Sequence, residues 1–124
     1  MEYPAAPVLL IDRDLAFVYL IGRYAERSGH RFMRSDGAMA FSAATTFQPA
    51  LIIIGMRAPA SWALLRQLRI DERTRAIPMV LCSAFVDQER AWQEGAIVCL
   101  PKPVMYSDFL AALSMAGIPV PAEP

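Results

Sequence analysis

Short, nearly unbroken apolar runs alternate along this chain with longer amphipathic segments. Val8–Ile11 and residues 51–54, 79–82 and 97–100 consist of Val, Ile, Leu, Met and Cys with no polar alternation. Each is predicted to be a strand covered on both faces. Residues 31–34 are apolar only at Phe32 and Met33, and an arginine at each end suits a weak strand at a sheet edge. Helices are predicted over 15–28 closed by Gly29, 38–46, 61–69, 87–94 closed by Gly95, and 107–115. Leu64, Leu65 and Leu68 make one apolar stripe, and Phe109, Leu110 and Leu113 another, with Ser107 as a candidate N-cap of the last helix.

Strict alternation of strand and helix implies right-handed crossovers and a parallel, doubly wound α/β sheet. In such a sheet the functional crevice lies outside the carboxyl ends of the strands. The residues there are Asp12, Arg13 and Asp14; Gly55, Met56 and Arg57; Ser83 and Ala84; and Lys102.

Composition narrows the picture without changing it. The 124 residues are 56% hydrophobic, enough for one domain with a real core. We assign residues 1–117 to that domain and 118–124, with three prolines, to a tail or linker stub. Twelve basic residues balance twelve acidic ones, so no net field draws the chain to nucleic acid or to an anionic membrane. No apolar run approaches the roughly 20 residues of a membrane span, and residues 1–7 do not resemble a secretory signal. The expected compartment is the cytoplasm. Cys82 and Cys99 have no metal-ligand spacing and read as buried, reduced thiols, while His30 has no visible acidic partner and reads as a surface residue.

Four segments then make the pattern specific. VLLIDRD at 8–14, PALIIIGMRAP at 49–59, IPMVLCSA at 77–84 and CLPKPV at 99–104 resemble, in order and spacing, the signature segments of response-regulator receiver domains of bacterial two-component signalling, the chemotaxis-receiver type. The resemblance implies a five-stranded (βα)5 flavodoxin-like fold with strand order 2-1-3-4-5. It also implies an acidic pair after the first strand, a phosphoacceptor aspartate after the third, a hydroxyl after the fourth and a lysine before a cis proline after the fifth.

Carried over residue by residue, the acidic pair falls on Asp12 and Arg13 with Asp14 beside them, the acceptor on Gly55, the hydroxyl on Ser83 and the lysine on Lys102. The switch aromatic, three residues before the lysine, falls on Cys99. Glycine has no nucleophile for aspartyl-phosphate chemistry, and no Asp or Glu occurs between Asp36 and Asp71 to replace it. The resemblance is therefore to a degenerate pseudo-receiver. The magnesium ion of the family wants oxygen ligands; an arginine among them repels it, so no cofactor is expected and Arg13 is expected to fill the metal's place by pairing with a carboxylate. Asp12 and Asp14 are expected to form an internal cluster with Lys102, Arg13 or backbone amides.

The expected function is a non-enzymatic interaction module in a phosphorelay pathway, working without phosphorylation. Its partners would be a histidine kinase, an output protein or a second copy of itself. Phe85, Trp92, Met105 and Tyr106 form one candidate surface, and Phe17 and Leu20, within a helix apolar nearly all round, form another. The alternative is a small-ligand or nucleotide domain using the crevice at Asp12, Ser83 and Lys102, although no glycine-rich phosphate loop follows the first strand.

Overall fold

In the computed structural model, which describes residues 5–122, five strands and five helices alternate along the chain. The strands are β1 (Val8–Ile11), β2 (Phe32–Ser35), β3 (Leu51–Gly55), β4 (Met79–Ser83) and β5 (Val98–Pro101). The helices are α1 (Leu15–Arg27), α2 (Ala40–Phe47), α3 (Ala60–Ile70), α4 (Gln88–Gln93) and α5 (Tyr106–Met115). All four strand pairings are parallel and the order is β2-β1-β3-β4-β5. The sparse apolar content of residues 31–34 is explained by the edge position of β2.

Successive side chains of a strand point to opposite faces, and the core divides accordingly. Leu9, Ile11, Ile52, Ile54, Met79, Leu81 and Cys99 face α2, α3 and α4 through Ala44, Trp62, Leu65, Leu68 and Ala91. Val8, Leu10, Leu51, Ile53, Val80, Cys82 and Leu100 face α1 and α5 through Phe17, Ile21, Phe109 and Leu113. Neither face of the three central strands meets water, which is why their sequences lack alternation.

Gly29 and Gly95, at φ of 80° and 94°, end α1 and α4 in the left-handed conformation that a Cβ disfavours. Ser107 is not a cap: α5 starts one residue earlier, Met105 is its N-cap, and the Asp108 carboxylate accepts from the Met105 N–H at 3.0 Å. Beyond α5 the Ile118 N–H donates to Leu113 O, and Ile118 packs against the core. His30 is half-buried rather than fully on the surface; its Nε2 meets Pro119 O at 2.9 Å and its Nδ1 meets Ser28 Oγ at 2.7 Å.

Candidate functional site

Because the five strands run parallel, their carboxyl ends bring the loops after β1, β3 and β5 together. Lys102 follows β5, and the Lys102–Pro103 peptide is cis, as the resemblance implied; Ala58–Pro59 is also cis. The Lys102 Nζ donates to Asp12 Oδ2 at 3.2 Å and lies 4.1 Å from the centroid of the Phe17 ring. Asp12 Oδ1 accepts from the Asp14 N–H at 2.8 Å. Both carboxylate oxygens are therefore engaged, and the Asp12 side chain is only 11% exposed.

The space the carboxylate occupies is the notable point. A Cβ built on Gly55 would lie 1.9 Å from Asp12 Oδ2 and 2.6 Å from Asp12 Cγ. The Asp12 carboxylate thus sits where the first atoms of any side chain at position 55 would go. Glycine here leaves the volume that Asp12 fills, and through which Asp12 reaches Lys102.

Asp14 has a different task. Its Oδ1 accepts from the Ala16 and Phe17 N–H groups at 3.0 and 3.4 Å, so it is the N-cap of α1. A negative charge is favourable at that end of the helix dipole. The expected cluster is therefore correct for Asp12 with Lys102 and for Asp14 with backbone amides, but not for Arg13. Arg13 is exposed and makes no ion pair among the described residues. The reason is geometric: Asp12 turns inward to Lys102 and Asp14 turns back onto α1, which leaves no carboxylate for the guanidinium.

The metal implied by the fold does not fit these residues. Position 55 offers no side-chain oxygen, those of Asp12 are committed to Lys102 and the Asp14 amide, and Asp14 caps a helix. Among the described residues no group of three His, Cys, Asp or Glu side chains is placed to hold a metal ion.

The Ser83 hydroxyl is engaged locally. It donates to Phe85 O at 2.9 Å and accepts from the Phe85 N–H at 3.0 Å, closing the turn after β4. Of the trio Asp12, Ser83 and Lys102, the first and last are bonded through their side chains, and Ser83 meets Lys102 through its carbonyl, which accepts from the Lys102 N–H at 2.9 Å. The cavity at the strand ends, about 690 Å³, lies between β1, β3, the approach to α2 and the start of α3. Asp12, Arg13, Asp14, Gly55, Arg57 and Lys102 line it, with Met56, Ala60 and Leu64 as apolar wall.

Cys99 is buried in β5. Its N–H donates to Gln88 Oε1 at 2.7 Å, and its carbonyl accepts from Gln88 Nε2 at 3.2 Å. In a parallel strand the N–H and C=O of one residue point the same way, here away from β4, so the Gln88 amide satisfies the free edge of β5 as another strand would. Two further ties hold α4. Arg66 of α3 makes a bidentate pair with Glu94, and the Arg90 guanidinium lies 4.1 Å from the Trp62 ring centroid. No sequence signal pointed to Gln88. Replacing it by alanine is expected to speed exchange of the Cys99 amide hydrogen roughly fivefold or more, since a net hydrogen bond contributes about 1 kcal/mol. Unchanged exchange in Gln88→Ala would show that the edge is protected by something else.

Burial raises both thiols, that of Cys82 up to about 12, so neither is a thiolate at neutral pH. Of the candidate surface residues, Phe85, Trp92 and Met105 are exposed at 89%, 61% and 60%. Tyr106 is half-buried between Tyr24 and Arg27. On α1 the expectation fails for Phe17, which is core, and Leu20 is partly buried; the surplus apolar surface of that helix is Leu15 and Tyr19. No helix among the described residues is long and apolar enough to cross a membrane.

No family model matches the chain, and no curated protein matches it either. Solved structures do. The chemotaxis protein CheY4 of Vibrio cholerae is 19% identical, with a TM-score of 0.80 over 90% of this chain and 98% of its own. The bacteriophytochrome response regulator RtBRR is 25% identical, with a TM-score of 0.76 over 96% of this chain and 82% of its own. A response regulator receiver domain protein from Clostridium thermocellum is 21% identical, with a TM-score of 0.78 over 90% and 93%. Order, register and these neighbours agree that this chain has the flavodoxin-like fold of response-regulator receiver domains.

Proposed function

We propose that the chain is a receiver-type module of a two-component pathway that signals through protein contacts and without phosphorylation at its crevice. The observation that carries this reading is the Asp12 carboxylate lying over Gly55 and bonded to Lys102. The lysine that would meet an incoming phosphoryl group already has an anionic partner, and the residue that would accept the group has no side chain. Switching of this fold by phosphorylation needs a new charge at this site to bias a movable surface. Here Asp12 already occupies the space over Gly55 and meets Lys102, and α4 is held to both α3 and β5.

Such a module would act as a fixed docking partner for a histidine kinase, an output protein or a second copy. Phe85, Trp92 and Met105 offer apolar anchors around α4. Intact-mass measurement after incubation with acetyl phosphate and magnesium is expected to show no added phosphoryl group, and magnesium alone is expected to leave the amide resonances of residues 12–14 and 55–57 in place. A stoichiometric phosphoryl adduct would overturn the reading, as would saturable magnesium shifts at those residues.

A further inference from the structure

Asp12 is paired to Lys102, and Asp14 caps α1 while keeping its own negative charge, so the three basic and two acidic side chains that line the crevice leave it a net positive charge of one. Arg13 and Arg57 both line the cavity, both are exposed, and neither has an ion-pair partner among the described residues. They stand on the loops that follow β1 and β3, adjacent strands about 4.8 Å apart. Met56, Ala60 and Leu64 give the same cavity apolar lining, and its volume of about 690 Å³ falls within the range of small-molecule sites, roughly 300–1,000 Å³.

We infer that the crevice is a metal-free binding site for a small organic anion, one whose phosphate or carboxylate head meets Arg13 and Arg57 and whose apolar body lies on Met56 and Leu64. A guanidinium presents paired donors that match both oxyanions, and two of them supply the charge a bound cation would otherwise provide. The Asp12–Lys102 pair forms a neutral floor: it neither repels the head strongly nor offers it a second strong anchor. A divalent cation is disfavoured, because Asp12 is held by Lys102 and the Asp14 amide and Asp14 caps α1. This inference goes beyond the docking reading and is independent of it, because it concerns the strand-end cavity rather than the surface around α4.

The test is a titration of the uniformly 15N-labelled protein, free of metal, with phenyl phosphate, benzoate and inorganic phosphate, at physiological salt. Phenyl phosphate or benzoate is expected to give saturable shifts with one site per chain, centred on the amides of residues 12–14 and 55–57, and inorganic phosphate is expected to bind more weakly for want of an apolar body. The double variant Arg13→Gln/Arg57→Gln is expected to bind the same probe roughly tenfold or more weakly, the size of a lost charge-assisted hydrogen bond. Both residues are exposed, and the variant's spectrum away from the crevice reports that its fold is intact. The inference is overturned if neither organic anion saturates, if the shifts centre elsewhere, or if the double variant binds as well as the parent. A failure here with no phosphoryl adduct in the mass measurement would leave the docking reading standing.

Discussion

Gly55→Ala is expected to destabilise the protein by about 2 kcal/mol, roughly 8 °C in melting temperature for a domain of this size. The sign is the informative part. At a position where alanine fits, replacing glycine in ordinary backbone stabilises by about 0.4–1 kcal/mol, because the unfolded chain loses freedom. Gly55 has no left-handed φ that would forbid alanine. What forbids it is Asp12, whose Oδ2 lies 1.9 Å from the new Cβ and is held by Lys102, while Oδ1 is held by the Asp14 amide.

To admit the methyl group, Asp12 must leave both partners, and a half-buried ammonium is left beside the crevice. Charge-assisted hydrogen bonds contribute about 1.5–3 kcal/mol each, so losing them outweighs the entropic gain. A double-mutant cycle with Asp12→Ala checks the cause: the two changes together should cost clearly less than the sum of the singles, since contact between the sites is what couples them. Thermal or urea denaturation reads all four corners. A neutral or stabilising Gly55→Ala, or strict additivity with Asp12→Ala, would mean that the carboxylate is not seated over Gly55.

Phe109→Ala should cost more, about 3–5 kcal/mol, as for buried aromatics truncated in other cores. Phe109 is 1% exposed at the centre of the face shared by α1, α5 and the sheet, with its ring centroid 5.8 Å from that of Tyr24. Truncation loses the transferred area and leaves a void that β1, β3 and the two helices cannot close, because those strands are pinned by ladders on both sides. The Tyr24 hydroxyl donates to Val104 O at 2.9 Å, just beyond Lys102 and the cis proline. Denaturant unfolding measures the cost, and the Lys102 resonances should shift with it. A loss below about 1 kcal/mol would show that the α1–α5 face repacks freely and does not hold the lysine loop.

Both predictions concern one arrangement, and its parts were unequally legible beforehand. Position 55 could be located from Pro49, Pro59 and the strand between them, and its lack of a nucleophile followed from the residue type alone. That Asp12 would occupy the volume beside Gly55 could not be read, because the direction of a side chain across two strands depends on register and rotamer. The same limit misled the expectation for Arg13. Adjacent in sequence to two carboxylates, it pairs with neither, since each finds a partner in a different element. Ser83 kept a family-like identity, yet its hydroxyl is consumed by a turn two residues on, a local competition that residue type does not reveal.

The Gln88 clamp is a further case. Glutamine on a short amphipathic helix carries no distinguishing pattern, and its role exists only because β5 is the last strand and its outward N–H and C=O need partners. Phe17, by contrast, lies in a helix whose sequence is apolar nearly all round, so its period does not tell the buried side from the exposed one. The sheet buries one stripe of α1, which includes Phe17, and leaves Leu15 and Tyr19 outside.

Period and residue identity carried the legible part. Unbroken apolar runs separated by amphipathic segments specify a parallel sheet covered on both faces, the sparsest run specifies an edge, and a glycine at position 55 excludes carboxylate chemistry there. Where each charge ends was set by the folded arrangement: Asp12 over Gly55 and on Lys102, Asp14 on the α1 amides, Arg13 and Arg57 exposed at the cavity. The reason is that burial and backbone hydrogen bonding depend on local pattern, whereas the pairing of a charge depends on which distant loops the folded sheet brings within about 3 Å of it.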